Sequence, residues 1–295
     1  ELMREDNKIC VLDADLSKPN GTSSLYKEFP DRCFDVGIAE ANMVGVAAGL
    51  AAYGYKPIVV TFAPFATRRV CDQIAVSVAY AKQNVKIVGT DPGITAELNG
   101  GTHMSFEDIA TLRSIPTMTI YDAVDDTQVY QAIKQIMNTD GPCYIRMPRK
   151  AAQPVYDENY KFALNKADVI TKGNDITIVA SGIMVAESLK AVLKLKEEGI
   201  SAELISANTI KPLDEETILN SIKKTNHVVT CENHNVIGGL YSAVSEMLIE
   251  KYPLHVDKIA VMDQFGQVGK YSELLNYYHL TSNDIYNVVK KNLNK

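Results

Sequence analysis

The sequence predicts an α/β protein built as two doubly wound domains, and three observations carry that prediction. Short strands that are apolar throughout alternate with helical patterns, the alternation breaks off once in a polar stretch, and it then restarts. Strands apolar on both faces belong to a parallel sheet covered on both sides, because a half-solvated sheet would make every second residue polar.

In the first half the strands are read at "KICVL" (8–12), "PIVVT" (57–61), "NVKIVGT" (84–90), "TMTIY" (117–121) and "CYIRM" (143–147). Between them the spacing predicts helices from Ala39, from about Pro64 to Ala81, from Ser105 and over 125–137. Residues 148–175 are polar, carry two prolines and keep no period. The chain is therefore divided into a first domain at 1–150, a linker at 151–172 and a second domain at 173–295. Alternation resumes with "ITIVA" (176–180), a helix over 184–199, "SAELI" (201–205), a helix after Pro212, "HVVTC" (227–231), a helix over 236–250 and "KIAVM" (258–262). The tail is read as one or two closing helices behind a Ser or Thr cap.

A hydrophobic content of 46% with 22% charged residues over 295 positions is that of a globular protein with room for two cores. The formal charge of −6 argues against nucleic acid or an anionic membrane as partner, so an anionic substrate must be held by local groups. No apolar run approaches the ~20 residues of a membrane span, and "ELMREDNKICVLDADL" lacks the basic-then-apolar pattern of a secretory signal. A cytoplasmic location is expected. The chain opens on a glutamate, so residues preceding it in the natural protein are expected to be missing. Cys10, Cys33, Cys71, Cys143 and Cys231 are scattered without a C-x-x-C pair and are read as reduced core residues; no metal ligand set is assigned.

Ligands of an open parallel sheet bind beyond the carboxyl ends of its strands. The loops to inspect are thus "DADLSKPNGTSS" (13–24), "TFAPFATRR" (61–69), "TDPGITAELNGGTHMSFED" (90–108) and "MPRK" (147–150), with "CENHNVIGG" (231–239) in the second half. Singly, each has a plain explanation: Phe62 and Phe65 as core, His103 as a helix cap, Arg146 and Arg149 as a solvated rim. The run "FDVGIAEANMVGVAAGLA" (34–51) is less easily dismissed. Ala41, Gly45 and Gly49 fall on one helical face, bare enough for another backbone to lie against it, and Glu40 sits in the first turn, where unpaired N–H groups favour a negative charge.

The ordered succession "DADL", "FDVGIAEANMVGVAAGLA", "TFAPFATRRVCDQI", "GGTHMSFEDIATLRSIPTM", "GPCYIRMPR" and "CENHNVIGGLYSAVSEM" resembles the carboxyl-terminal half of transketolase over essentially the whole chain, in the version split into two polypeptides. The resemblance implies a thiamine pyrimidine-binding domain followed by a transketolase-type carboxyl-terminal domain, and transfer of a two-carbon ketol unit from a phosphorylated or otherwise anionic ketose to an aldose. It implies thiamine diphosphate as cofactor, with Glu40 hydrogen-bonding the aminopyrimidine nitrogen: a carboxylate shielded from water stabilises a protonated ring and promotes the imino form that accepts the thiazolium proton.

By the same resemblance Phe65 stacks on the pyrimidine with Phe62 beside it, Asp15 and Leu16 lie near the cofactor, and Arg68 joins them. His103 handles substrate hydroxyls and proton transfer, Arg149 grips the substrate's anionic group through its guanidinium fork, and Asp91 and Asn99 complete the substrate side. The family holds the diphosphate through Mg2+ or Ca2+ in a motif that begins Gly-Asp-Gly, and this sequence has none. The implied partner is the amino-terminal, diphosphate-binding subunit, in an α2β2 assembly. The "NVIGGLY" loop is assigned to docking and helix initiation.

The chain departs from the common pattern where Asp91 stands for a histidine and Glu97-Leu98-Asn99-Gly100 for Gly-Glu-Asp-Gly. An aspartate ~4 Å from a phosphate costs about 4 kcal/mol at an effective dielectric of ~20, unless Lys18, Arg68 or Arg149 offsets it. An unusual sugar or a displaced anionic group is expected. Deoxyxylulose-phosphate synthase and the β subunit of a 2-oxoacid dehydrogenase share the scaffold and are the rival readings, with a scaffold that has lost its chemistry as a third.

Overall fold

The computed structural model describes residues 1–293. Among these residues twelve strands form two sheets: β1 (Ile9–Asp13), β2 (Cys33–Asp35), β3 (Lys56–Phe62), β4 (Lys86–Thr90), β5 (Thr119–Asp122), β6 (Cys143–Met147), β7 (Asp168–Thr171), β8 (Ile176–Ala180), β9 (Ala202–Ser206), β10 (Thr209–Lys211), β11 (Val228–Asn235) and β12 (Asp257–Val261). The first sheet has the order β10-β5-β6-β4-β3-β1-β2 and the second β12-β11-β8-β9-β7. Both are parallel except at one edge each, where β10 runs against β5 and β7 against β9. The expectation of wholly parallel sheets is corrected there. Antiparallel edge strands need no crossover helix, so three or four residues suffice.

β10 follows β9 in the chain yet completes the sheet of the first half, so the two halves are interlocked. Residues between β6 and β7 are also fastened down. Gln131 and Gln135, on the helix Asp126–Met137, donate to the carbonyls of Tyr160 and Phe162 at 2.5 and 2.6 Å, and Phe162 is buried edge-on against Tyr121. Among the described residues no helix is long and apolar enough to cross a membrane. The five cysteines are unpaired; Cys71 is half-buried and the other four are buried.

Register sets the order of the loops that matter. β1 lies between β2 and β3, with Asp13 opposite Asp35 and Val60; Phe62 lies opposite Thr90, and Thr90 opposite Met147. The loops bearing Asp15, Phe62 with Phe65, Asp91, and Arg149 therefore emerge side by side at the carboxyl ends of β1, β3, β4 and β6. The helix expected from Pro64 to Ala81 is broken into short turns at Ala63–Ala66, Arg68–Val70 and Cys71–Gln73, ending in a π-helical stretch, Ile74–Tyr80. Thr67 and Val70 leave helical geometry, in a segment whose β-branched Val70, Ile74, Val76 and Val78 resist a regular helix.

Candidate active site

Glu40 opens the helix Glu40–Ala52 and is 3% exposed. A carboxylate this buried needs a partner, and Arg69 supplies it, donating from Nη1 to Oε1 at 2.5 Å. The same guanidinium lies over Phe65, its Cζ 3.7 Å from the ring centroid. Phe65 meets His103 edge-on at 5.2 Å, and Phe62 is 6.0 Å from each of them. Arg149 covers Phe62 at 4.8 Å and is paired with Asp91 through Nε. Its backbone N–H also donates to Asp91 at 2.9 Å. Glu40, Phe65, Phe62, His103, Arg149 and Asp91 are thus joined in one contiguous set of contacts.

The remaining expected residues lie apart from it. Asp15 is exposed, its N–H donating to Asp35 at 2.9 Å, and Leu16 is half-buried beside it. Asn99 is exposed at the end of the turn Gly93–Asn99. Arg68 pairs with Glu107 at 2.8 Å and with the Thr102 carbonyl at 3.1 Å, so it braces the His103 loop; Arg149 alone of the three expected cations is joined to Asp91. His103 accordingly does not cap a helix: its Nδ1 meets the Thr102 hydroxyl at 2.9 Å and its ring faces the two phenylalanines.

Two aspartates just past strand ends hold left-handed backbone, Asp15 at φ 59° and Asp91 at φ 52°, as does Glu97 at φ 48°. Such strain persists where surrounding contacts enforce it, and active sites are the usual place. Asp13 was not among the expected residues. Buried at the end of β1, its carboxyl is pushed up by burial, while Thr22 and Tyr26 donate to it at 2.6 and 3.3 Å. Asn20 accepts from Thr90 at 2.9 Å, tying the "SKPN" loop to β4. Arg69 was likewise missed. Two adjacent arginines cannot be told apart until the break at Thr67 and Val70 turns one toward Glu40.

The outer face of the Glu40–Ala52 helix is bare. Ala41, Gly45 and Gly49 are exposed, and a Cβ added at either glycine would meet nothing within 4 Å. Ile38, ahead of the helix, is 77% exposed. An apolar, small-residue face of this kind calls for a covering surface. The slot at its head suits a flat cationic ring, since the group that fills it is itself planar, positively charged and an N–H donor. Among the described residues no group of three His, Cys, Asp or Glu side chains is placed to hold a metal.

A second polar cluster lies behind the site, sealed between the halves. Arg146, expected at a solvated rim, is 1% exposed and donates to Asp108 at 2.7 Å, to Asp122 at 3.1 Å and to the Asn233 carbonyl at 2.7 Å. Burial would raise both acids. Arg146 holds Asp108 below the usual carboxylate range, whereas burial prevails at Asp122. His234 accepts the Ala110 N–H at 3.3 Å and donates from Nδ1 to the Asn235 carbonyl at 2.8 Å; burial pushes it down to about 4. Glu232, pushed up by burial to about 7, accepts the Leu240 and Tyr241 N–H groups at the start of the helix Leu240–Lys251. The "NVIGGLY" loop does dock and start that helix: a Cβ on Gly238 would come within 2.5 Å of Ala110, and one on Gly239 within 2.0 Å of Glu232.

Comparison with known proteins adds identity to this geometry. The transketolase pyrimidine binding domain matches residues 1–154 and the transketolase C-terminal domain residues 165–285. The chain is 50% identical to the 6-deoxy-6-sulfo-D-fructose transketolase subunit of Clostridium sp. (strain MSTE9), over 97% of this chain and 88% of that one. It is 35% identical to one of the subunits of the apulose-4-phosphate transketolase of Phocaeicola vulgatus, over 97% and 91%. A solved split gene transketolase, an inactive beta4 tetramer, superposes with a TM-score of 0.90 at 42% identity, over 99% of this chain and 94% of that one. The chain belongs to the transketolase family as a subunit of the split type, a transketolase-type transferase carrying the pyrimidine-binding and C-terminal domains.

Proposed function

We propose that this chain supplies the pyrimidine-binding half of a thiamine diphosphate-dependent transketolase in the cytoplasm and assembles with an amino-terminal, diphosphate-binding subunit as α2β2. The slot between Glu40 and Phe65 carries the reading: a buried carboxylate and an aromatic face lie on either side of one planar cation, next to a helix face that lacks a cover. When bound, thiamine diphosphate supplies the carbon nucleophile that accepts a two-carbon unit from a ketose. Glu40, itself buried, would hold a proton-bearing ring nitrogen of that cofactor. Phe65 and Phe62 form the aromatic wall, and His103, in edge contact with both, delivers and removes protons at substrate hydroxyls. Mg2+ or Ca2+ and the diphosphate are assigned to the partner, because this sequence offers no Gly-Asp-Gly. Asp15 and Leu16, away from the slot, are assigned to the cofactor's side of the seam, Arg68 to holding the His103 loop beside it, and Asn99 to the substrate mouth.

For the substrate, Asp91 favours a ketose ending in a sulfonate over one ending in a phosphate. Asp91 occupies Nε and the backbone N–H of Arg149, which leaves the terminal nitrogens for the substrate's anion. A phosphate approaches −2, so an aspartate behind it costs several kcal/mol, about twice what a singly charged sulfonate incurs. The relative named for 6-deoxy-6-sulfo-D-fructose is consistent with this preference. Purified with its partner, the chain is expected to turn over a 6-sulfo ketose faster than xylulose 5-phosphate. The reverse order would overturn the substrate assignment, and absence of ketol transfer from either donor would overturn the function.

A further inference from the structure

We infer that Arg69 is a built-in stand-in for the cofactor ring, which fills the slot of the empty subunit and has to leave before the ring can enter. The inference rests on the assignment of Glu40 and Phe65 to that ring. Its guanidinium touches both at once, 2.5 Å from Glu40 Oε1 and 3.7 Å from the Phe65 centroid. A ring that hydrogen-bonds Glu40 while stacking on Phe65 needs the volume Arg69 fills. The stand-in has the right properties for this post: flat, cationic and rich in N–H donors, it pairs a carboxylate that is 3% exposed and lies over the face of the half-buried Phe65.

Arg69 is also built to depart. Its side chain is 43% exposed, so it has solvent to swing into, while Glu40 has none. It stands on the short turn Arg68–Val70, between the non-helical Thr67 and Val70, and not on a continuous helix. Its neighbour Arg68 is differently placed, engaged with Glu107 and the Thr102 carbonyl. One arginine braces the loop and the other guards the slot.

The test is calorimetric titration of the purified two-subunit enzyme with thiamine diphosphate and Mg2+, for the native chain, Arg69→Met and Glu40→Gln. Competition predicts that Arg69→Met binds the cofactor about tenfold more tightly. It also predicts that Arg69→Met melts some degrees lower than the native chain when empty but not when loaded. Unchanged or weaker binding in Arg69→Met, or equal losses of melting temperature in both states, would overturn the inference. Should Arg69→Met fail to assemble, Arg69→Lys keeps the charge without the flat plate, and a smaller tightening is expected; none would overturn the inference equally. Glu40→Gln separates the two claims. Made in the Arg69→Met background, where no competitor is left, Glu40→Gln that binds cofactor as well as Arg69→Met alone overturns the assignment of Glu40; Glu40→Gln that binds worse there while Arg69→Met does not tighten overturns only the stand-in.

Discussion

Two clusters of charge sit within one molecule and are put to opposite uses. Around Glu40 the cations are half-exposed: Arg69 is 43% and Arg149 26% open to solvent. Around Arg146 both the guanidinium and its two carboxylates are at most 3% exposed. Buried ions this closely paired have no solvent to swing into, even though Asp122 leaves one carboxylate oxygen unbonded, so the Arg146 cluster fixes how the halves meet. A buried acid facing a half-exposed cation leaves that cation room to give way to a ligand. The residue types are the same, and access alone separates a sealed joint from a slot that a ligand could reach.

The comparison is broken most forcefully at Glu40. Glu40→Gln is expected to cut ketol transfer by about 10³- to 10⁴-fold, ~4 to 5.5 kcal/mol of barrier, while sedimentation gives an unchanged assembly. Arg146→Met should do the reverse. It strands Asp108 and Asp122 without their cation and is expected to cost about 3–5 kcal/mol of unfolding free energy in urea; a fully stable variant would mean the joint is elsewhere.

The sealed cluster also carries opposed pH dependences. Glu232 ionises at about 7 in the folded chain against 4.5 ordinarily, so its stabilisation is complete below 4.5 and is lost as pH rises to about 7. His234 protonates at about 4 against 6.5, so its contribution is complete above 6.5 and is lost as pH falls toward 4. The two offset each other between. Glu232→Gln should unmask the histidine, giving stability that climbs by about 2–3 kcal/mol from pH 4.5 to 6.5, and a flat profile would contradict it. Asp91→Asn, at the open site, should raise turnover of a phosphate ketose relative to a sulfonate ketose by about tenfold, ~1.4 kcal/mol, measured as a ratio of kcat/KM values. Smallest is Arg68→Ala. Its exposed pair with Glu107 should cost under about 1 kcal/mol, and its activity should fall only as far as the His103 loop loosens.

The open site was more legible in the sequence than the sealed one, for a physical reason. The side chains assigned to the site by the resemblance stand in loops after apolar strands, so "TFAPF", "GGTH" and "MPR" drew attention by their place, though singly each had a plain explanation. Arg146 lies inside "CYIRM", a strand buried on both faces, and that burial was the one available signal that it needed carboxylates from elsewhere. Its partners are 24 and 38 residues away, beyond any local pattern. β2, β7 and β10 were illegible because edge strands of three or four residues carry no apolar run. The choice of Arg69 over Arg68 depended on a helix break that composition does not announce.

The central claim is that Glu40 meets thiamine diphosphate at a seam this chain cannot complete alone. Thiamine diphosphate titrated with Mg2+ into the isolated chain, the isolated partner and the mixture tests it most directly. Ketol transfer and tight binding are expected in the mixture, both abolished or strongly weakened when the chain carries Glu40→Gln, and neither in the chain alone. Tight binding or turnover by this chain without a partner would contradict it.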